Sequence, residues 1–357
     1  MTPEMEIPGA KPPLRVIDLL SHGSSHLFVN RFWLQTLMTH FQITLVAEAR
    51  HIAALNIPDI TNVPVRRGRG WRLWRELRFL TAMVRAGRSP VLIMGATGAQ
   101  LLTLAILERL FRHRATSWTV ILHSEAEGVA DPSDLNRKLA WLALRKLQFP
   151  RHAQAIVLGR HILSNLAPLN LDSPRFHAIE HPLPDAKPIP RPARTQGLSF
   201  TVTGVIRADT KDLDMAGQLA ATGQTRVRFL GRKGRDYRPV PGVSEQLTDS
   251  HYSDRWLKEN LGNSDFLLLC PARHSYRFTA LGSLGDALSH GLPVAWLEHD
   301  ALKAAETAPF CITATNVADL KSRAKSFEPP SLKQIECWVR TRNDSAKQTF
   351  LSIMISS

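Results

Sequence analysis

Cysteine, long apolar runs and acidic residues are all scarce in this chain of 357 residues. The three cysteines, Cys270, Cys311 and Cys337, are far apart and form no CxxC pair. This argues against a disulfide framework or a zinc site and favours a reducing compartment. No apolar run is long enough to cross a bilayer, and the acidic, proline-bearing start is unlike a secretory signal. These absences predict a cytoplasmic protein, either dissolved or peripheral on the inner face of the plasma membrane.

The shortage of acidic residues leaves the chain strongly basic. Its 31 Asp and Glu residues stand against 45 Lys and Arg residues, for a formal net charge of +14. Such an excess favours anionic partners, which include nucleic acid, anionic lipid headgroups and phosphorylated small molecules. No helix-turn-helix, zinc-finger or RNA-binding aromatic signature accompanies the charge, so we expect no nucleic-acid partner.

What the chain does contain is a regular alternation of short apolar runs and helical stretches. Continuous aliphatic runs separated by helices predict parallel strands that are buried on both faces. The predicted strands are Leu14–Leu20, Gln42–Ala47, Val91–Met94, Trp118–His123 and Ala155–Leu158, and then Leu198–Val205, Arg226–Leu230, Asp265–Cys270 and Pro293–Leu297. The sequence therefore predicts an α/β protein with two Rossmann-like, doubly wound domains.

A proline-rich stretch separates the two halves. It reads HPLPDAKPIPRPAR over residues 181–194, and its five prolines suit neither a helix nor a central strand. We interpret residues 183–197 as an interdomain linker, with a long surface loop inside one domain as the alternative. The predicted organisation is then a first domain over 14–182, a second over 198–330, and a C-terminal helix over 331–357 that packs back on the first domain.

The second half carries the strongest candidates for anion binding. A helix is predicted to begin between Gly282 and Gly285, where backbone N–H groups and the helix dipole can hold a phosphate and glycine allows close approach. A simple tight turn with a serine cap is the alternative. Arg207 and Lys211 follow the predicted strand Leu198–Val205, and an Arg fork with a Lys point charge suits a diphosphate. Two ordinary cations on a solvated loop would look the same.

The first half offers a histidine and a small-residue loop. His123 ends the predicted strand Trp118–His123, a position that is more often structural than functional. Glu125 and Glu127 follow it; we expect both side chains to be solvent-exposed, with a role as a base or an acceptor contact as the alternative. After the first strand the chain reads HGSSH, a loop of small residues that contains Gly23, Ser24 and Ser25. Ser24 or Ser25 is suited to cap the next helix.

Together these segments resemble the family-4 glycosyltransferases of bacterial exopolysaccharide synthesis. The resemblance is carried by Asp286-Ala287, by the ending Gly291-Leu292-Pro293-Val294, and by the order of the motifs over most of residues 14–298. It implies the GT-B fold, in which two Rossmann-like domains face across a cleft, with an acceptor domain first and a donor-binding domain second. In the family two glutamates frame this stretch; here the second position is Asp286 and the first is Phe278.

The resemblance also implies roles for the candidates. Gly23, Ser24 and Ser25 correspond to the family's first loop and would form a possible acceptor or phosphate loop, with capping of the next helix by Ser24 or Ser25 as an equally good interpretation. Arg207 and Lys211 would hold the donor diphosphate together with the backbone at Gly282 and Ser283, Asp286 would hold the ribose, and His123 would be the catalytic residue that faces the donor sugar. The activity would be transfer of a hexose, with retention, from a nucleotide-diphospho-sugar to a glycan or polyprenyl-diphosphate-linked acceptor. No metal and no cofactor are expected. A nucleotide-sugar epimerase and a non-catalytic GT-B-fold partner in glycan assembly or nucleotide binding are the alternatives, and Phe278 favours the latter.

A basic segment in the first half suggests a further partner. Residues 66–88 contain eight Arg and one Glu. On a helix, Leu73, Leu77, Leu80 and Val84 would form one apolar stripe, with Trp71, Trp74, Arg75, Arg78 and Phe79 at its sides. A basic amphipathic helix with flanking tryptophans is typical of contact with an anionic membrane surface. An ordinary surface helix with Arg on its solvent face fits the pattern equally well.

Overall fold

The structure is a computed structural model, and it describes residues 11–23, 25–67, 70–86, 89–110, 118–171, 173–189, 197–249, 254–262, 264–280 and 282–356. The chain divides into two compact units, Met1–His181 with Ser345–Ser357, and Pro182–Asp344. Each unit contains one sheet in which all the paired strands run parallel.

The first unit contains a sheet of seven strands. The strands are β1 (Pro13–Asp18), β2 (Gln42–Glu48), β3 (Thr61–Val65), β4 (Val91–Ile93), β5 (Trp118–Leu122), β6 (Gln154–Val157) and β7 (Phe176–Ala178). The helices are α1 (Leu27–Met38), α2 (Ala49–Leu55), α3 (Trp71–Ala86), α4 (Gly98–Leu110), α5 (Glu127–Ala130), α6 (Leu135–Trp141) and α7 (Arg160–Leu166). The strand order is β3-β2-β1-β4-β5-β6-β7, and the order reverses beside β1.

The second unit contains a sheet of six strands. The strands are β8 (Leu198–Ile206), β9 (Thr225–Lys233), β10 (Val243–Thr248), β11 (Phe266–Leu269), β12 (Val294–Leu297) and β13 (Cys311–Ala314). The helices are α8 (Leu213–Ala221), α9 (Asp254–Leu261), α10 (Ser283–His290), α11 (Val317–Ser326) and the long α12 (Leu332–Ser356). The strand order β10-β9-β8-β11-β12-β13 places β8 and β11 at the centre, where the order reverses.

These sheets confirm the predicted fold class, because every predicted strand is present within a doubly wound parallel sheet. The strands that the sequence pattern missed are β3, β7, β10 and β13, which are the four edge strands of the two sheets. An edge strand has one neighbour and is partly open to solvent, so it needs no continuous apolar run. The proline within β3, Pro64, is also tolerated at an edge.

The described part of the proline-rich stretch packs on the second unit. Asn343 in α12 bonds Leu183 twice, through Oδ1 to the backbone N–H at 2.9 Å and through Nδ2 to the carbonyl oxygen at 2.7 Å. Leu183 and Ile189 are buried in the core beneath α10. Residues 190–196 of the predicted linker lie outside the described part of the chain.

Helix α12 contributes to both units, since its residues to Asp344 belong to the second and those from Ser345 to the first. In the first unit the ring of Phe350 lies 4.4 Å from that of Trp33 in α1, and both side chains are fully buried. In the second unit Ile335 and Val339 join the core that includes Leu183.

The orientation of α3 differs from the predicted stripe. Phe79, Ala82, Met83 and Ala86 are buried, whereas Leu77 and Leu80 are 49% and 41% exposed. Phe79 had been expected at the side of the stripe, and it lies instead at the centre of the face that packs inward. The side chains of Trp71, Leu73 and Val84 lie outside what the structure describes.

Candidate functional site

The C-terminal ends of β8 and β9 border a cavity of about 840 Å³ in the second unit. Three of the predicted donor-binding residues line it, namely Arg207, Lys211 and Ser283. Three further cations that were not predicted from the sequence line the same cavity, namely Arg232, Lys233 and Arg235. They were missed because the predicted strand stopped at Leu230, whereas β9 continues to Lys233. The sequence GRKGR after that apolar run was the available signal. Ligands of doubly wound sheets bind at this end of the strands.

Arg207 is held in the cavity by a close approach of the backbone. The N–H of Gly234 donates to the carbonyl oxygen of Ile206 at 2.9 Å. A Cβ at position 234 would overlap Cγ of Arg207 and lie 2.8 Å from that same carbonyl oxygen. The aliphatic part of Arg207 therefore lies flat on Gly234. Its Nε is 3.3 Å from Oδ1 of Asp209, an ion pair that is about half exposed on both sides.

Lys211 lies where the chain leaves the cavity for α8. Its backbone forms an antiparallel bridge with Pro271 and donates its N–H to the carbonyl oxygen of Arg207 at 3.0 Å. Burial lowers the pKa of the ammonium group, and the nearby charge of Arg207 lowers it further, while Cys270 and Asp286 raise it. The structure thus brings Arg207, Lys211 and Asp286 within electrostatic reach of one another. A partly desolvated cation of this kind gains from pairing with an anion.

Helix α10 begins at Ser283, as predicted, with Gly282 as its N-cap residue. No side chain caps this end, so the alternative of a serine cap is wrong. Gly282 is exposed, and a Cβ there would meet nothing within 4 Å. Asp286 lies in the first turn, where a carboxylate interacts favourably with the helix dipole. A Cβ at Gly285 would lie 3.3 Å from Cδ of Pro184, so this glycine also allows close packing against the proline-rich stretch.

Phe278 serves the core of the second unit. Its side chain is 1% exposed, and the guanidinium of Arg277 lies 5.5 Å from the centre of its ring. The position that carries a carboxylate in the resembled family is therefore filled here by a buried aromatic ring, which contributes packing.

In the first unit, His123 follows β5, and hydrogen bonds fix both its backbone and its imidazole ring. Its Nε2 lies 2.7 Å from the carbonyl oxygen of Met94, so Nε2 carries the proton and Nδ1 keeps a lone pair. The pKa of the imidazole is lowered by burial, against the opposing effects of the Met94 carbonyl and Asp18. A Cβ at Gly95 would lie 3.4 Å from Cδ2 of His123. His123 is thus a neutral imidazole held against the end of β4.

Glu125 is buried, which corrects the expectation that it is solvent-exposed. The side chain is 7% exposed, and its Oε2 accepts hydrogen bonds from the backbone N–H groups of His123 at 2.7 Å and Ser124 at 3.1 Å. Burial raises the pKa of this carboxyl group to about 7, in spite of the lowering effect of the hydrogen bonds. Glu127 is half-buried. The turn after β5 is therefore organised around a buried carboxyl group that was expected to be solvent-exposed.

His26 is a second histidine at this site, and it was not predicted from the sequence to be a functional residue. It precedes α1 in a left-handed conformation, with φ at 53°. Its ring centre is 5.0 Å from that of His123, at an angle of 48°. Part of the His26 side chain is exposed, but desolvation by the residues around the ring, followed by the proximity of His123, lowers the pKa of His26 to about 4. At neutral pH the two imidazoles are therefore uncharged, and they can form hydrogen bonds with neutral hydroxyl groups.

Hydrogen bonds from buried polar side chains fix the conformation of the loop after β1. Asp18 accepts hydrogen bonds from the backbone N–H of Ser21 at 3.0 Å and from Nδ2 of Asn30 at 2.5 Å. Nδ1 of His51 lies 2.8 Å from the carbonyl oxygen of Gly23 and donates to it. Asp18, Asn30 and His51 are each at most 2% exposed. The network gives the loop a defined conformation, and no sequence motif pointed to it.

This network limits what the predicted acceptor or phosphate loop can offer. The N–H of Gly23 lies 3.5 Å from Oε2 of Glu48, and the N–H of Ser25 donates to the carbonyl oxygen of His22 at 3.0 Å. Ser24 lies outside the described residues. The expectation that Ser25 caps α1 is wrong, because the N-cap residue is His26 and no side chain caps that end. The role of Gly23, Ser24 and Ser25 in binding stays a prediction.

Neither unit presents an evident metal site in the part of the chain that the structure describes. No group of three or more His, Cys, Asp and Glu side chains there is arranged to hold a metal ion. Among the same residues, no helix has both the length and the apolar character that crossing a bilayer requires.

Compared by sequence, the chain matches no protein-family model and none of the curated proteins. Its structure is similar to solved structures over nearly the whole chain. The apo form of the lipopolysaccharide outer core galactosyltransferase WaaB superposes with a TM-score of 0.62 at 13% identity, covering 97% of this chain and 99% of WaaB. HepE of Anabaena in complex with UDP gives 0.61 at 12% identity, covering 97% of this chain and all of HepE.

Two further solved structures extend this comparison. Sucrose-phosphate synthase of Thermosynechococcus elongatus gives a TM-score of 0.57 at 10% identity, with 97% of both chains covered. HepE in complex with UDP-glucose gives 0.57 at 11% identity, covering 96% of this chain and 97% of HepE. At these identities the similarity establishes the fold, so the chain has the GT-B fold of glycosyltransferases.

Proposed function

We propose that this protein is a glycosyltransferase that uses a nucleotide-diphospho-sugar as its donor. The observation that carries the proposal is the cavity at the ends of β8 and β9, where Arg207, Lys211 and Ser283 come together. Cations and the start of α10 converge there at the reversal of strand order beside β8, the position at which such sheets bind nucleotides. The complexes of HepE, a protein of the same fold, with UDP and UDP-glucose support the choice of donor.

The chemistry requires stabilisation of the negative charge that develops on the departing diphosphate. Arg207 and Lys211 would provide fixed positive charge, and free N–H groups at the start of α10 would provide oriented dipoles. Groups that are already in place need no reorganisation during the reaction. Asp286, in the first turn of α10, would accept hydrogen bonds from the ribose hydroxyls. In this mechanism no metal ion and no cofactor take part.

His123 would face the transferred sugar. With Nε2–H bonded to the Met94 carbonyl, its Nδ1 can accept a hydrogen bond from a hydroxyl group. Together with His26, it would orient an uncharged, hydroxyl-rich group. This fits a role in positioning the sugar better than a role in binding the diphosphate.

The finer assignment follows the resemblance to exopolysaccharide enzymes. It comprises a hexose donor, retention at the anomeric carbon, and an acceptor that is a glycan or is linked to polyprenyl diphosphate. A lipid-linked acceptor would bring the reaction to the inner face of the plasma membrane. The exopolysaccharide or cell-surface role belongs to the same proposal.

A thermal-shift screen against UDP, GDP and their sugar conjugates tests the donor site. A ligand that binds only the folded state raises the melting temperature, by an amount that depends on its concentration relative to Kd. We expect one nucleotide series to raise it, and Arg207→Ala to abolish the rise. The matched control is Arg255→Ala on α9, because the side chain of Arg255 is 88% exposed and does not border the cavity. Equal rises in both variants would contradict the assignment.

Transfer itself is tested with the sugar donor that the screen identifies. Wild-type protein should release the nucleoside diphosphate in the presence of a hydroxyl acceptor, and proton NMR of the product should show the anomeric configuration of the donor. His123→Ala should reduce transfer by about tenfold or more while leaving the nucleotide-induced shift intact, because it affects orientation only. Nucleotide binding without any transfer would favour a non-catalytic partner in glycan assembly.

A further inference from the structure

Helix α3 has an outward face that is unusual for a helix in contact with water. Its inward face consists of Phe79, Ala82, Met83 and Ala86, all of them buried. The opposite face should then be polar, as in other surface helices of globular proteins.

Large apolar side chains occupy that outward face instead. Trp74, Leu77 and Leu80 are 54%, 49% and 41% exposed, and they are spaced three residues apart along the helix. Helix α4, which packs against α3, adds Ile106 and the 70% exposed Leu110 to the apolar surface of this unit. A row of large exposed apolar side chains on one helix face indicates a contact surface. We refer to Trp74, Leu77 and Leu80 as the α3 apolar row.

The charges beside the row are positive. Arg78 and Arg85 on α3 are exposed, and the guanidinium of Arg78 lies 5.8 Å from the centre of the Trp74 ring. Arg66 and Arg67, which precede the helix in the chain, are also exposed. The one acidic residue of the segment, Glu76, is half-buried and engaged by Arg75 at 3.0 Å and by the hydroxyl of Thr97 at 3.2 Å. The surface around the row therefore presents cations and apolar groups together.

We propose that the outward face of α3 docks on an anionic lipid bilayer. The α3 apolar row would enter the boundary between headgroups and acyl chains, while the arginines would contact lipid phosphates. Tryptophan suits this boundary because its ring is apolar and its N–H is polar. The surface goes beyond the proposed transfer reaction and does not depend on it.

Other occupants fit the observations less well. A nucleic acid would be bound by the arginines but would leave the apolar row facing phosphates and water. A second copy of this chain would bring two arginine-rich surfaces together, in a protein whose net charge is already +14. An anionic lipid surface fits both features, because its acyl chains would contact the α3 apolar row and its phosphates would contact the arginines.

Flotation of the full-length protein with vesicles tests the proposal. Vesicles of phosphatidylcholine with 30% phosphatidylglycerol, on the order of the anionic content used to mimic bacterial membranes, are compared with pure phosphatidylcholine. We expect flotation with the anionic vesicles only, weakened by added salt. The triple variant Trp74→Ser, Leu77→Ser, Leu80→Ser should bind about tenfold or more weakly, since it loses most of the buried apolar area.

The control is Ile355→Ser, because Ile355 is 61% exposed near the end of α12, whose neighbouring residues border β6 and β7. It should float like the wild type. Melting curves of all the variants check that they are folded, and the nucleotide-induced thermal shift, which does not involve α3, reports separately on the donor site. Absence of flotation in the wild type, equal flotation of the triple variant, or tight binding of RNA or duplex DNA in place of vesicles would overturn the proposal.

Discussion

Oε2 of Glu125 lies 2.7 Å from the backbone nitrogen of His123, and it also accepts a hydrogen bond from the N–H of Ser124 at 3.1 Å. A single buried carboxyl group thereby holds the turn from which the candidate sugar-facing histidine projects. Burial raises the pKa of this carboxyl group to about 7 from its ordinary value of 4.5. The turn that presents His123 is therefore coupled to a group that titrates near neutral pH.

This coupling predicts a pH dependence of stability. Between about 4.5 and about 7 the folded state holds a proton on Glu125 that the unfolded state has lost, so the contribution of Glu125 to the unfolding free energy falls as pH rises. The full change is on the order of 3 kcal/mol. Glu125→Gln keeps an oxygen acceptor for both N–H groups and cannot titrate. The variant should therefore become progressively more stable than the wild type as pH rises from 4.5 to 7.

The comparison with Glu125→Gln isolates this effect from that of His26. The pKa of His26 is lowered to about 4 from 6.5, so its contribution to stability rises with pH over that range and opposes that of Glu125. Because both proteins contain His26, its contribution cancels in the difference. Urea unfolding at several pH values measures that difference, and a constant difference between the two proteins would contradict the prediction.

Gly234 should be required for the position of Arg207. In Gly234→Ala the new methyl group would overlap Cγ of Arg207, so the arginine must leave the cavity or the strand ends must separate. We expect nucleotide affinity to fall by about tenfold, as for loss of one charged hydrogen-bonding group. Isothermal titration with the nucleotide found in the screen measures the change. Gly262→Ala is the control, since a Cβ there meets nothing within 4 Å, and it should leave the affinity unchanged.

Gly282 gives a direct test of the proposed phosphate contact at the start of α10. Its φ of −74° suits alanine, and the space around its Cα is open in the free protein. Gly282→Ala should therefore leave the melting temperature of the free protein unchanged. If a diphosphate approaches this backbone closely, the methyl group should weaken nucleotide binding by about tenfold. Unchanged affinity would show that the phosphate does not lie against Gly282.

Lys211 should show opposite effects on stability and binding. Burial lowers the pKa of its ammonium group, which means that the charge is poorly solvated in the free protein. Lys211→Met keeps the apolar stem and removes the charge. We expect the free variant to melt at the same or a higher temperature and to lose the nucleotide-induced shift, as for a site residue retained for function. A large loss of stability in the free variant would instead indicate a structural role.

The central strands were predictable from sequence, whereas the edge strands were not. Strands such as β5 and β11 are buried on both faces, so almost every residue in them is apolar, and the run is visible in the sequence. At an edge, a strand such as β10 (VSEQLT) is half open to solvent, and its composition resembles that of a loop. The same reasoning explains why β9 was predicted to end at Leu230: the cations at its end serve the cavity.

The sequence predicted only those site residues whose position follows directly from the strand or helix that carries them. Arg207, Lys211 and Ser283 occupy the ends of central elements, and a diphosphate needs such groups at such ends. Other parts of the site could not be predicted from the sequence, because each acts through a contact that depends on which strands are neighbours. These are His26, Glu125 and the network of Asp18, Asn30 and His51. Residues 25 positions apart or more meet in that network.

The amino-acid sequence by itself determined the two parallel sheets, because burial on both faces demands continuous apolar strands and the intervening helices impose their own period. It also determined the excess of positive charge and the cations placed after β8. Only the tertiary structure decided which groups are buried together, and therefore which are charged. Glu125, Lys211 and the inward face of α3 depend on that outcome, because desolvation and packing arise from neighbours that are distant along the chain.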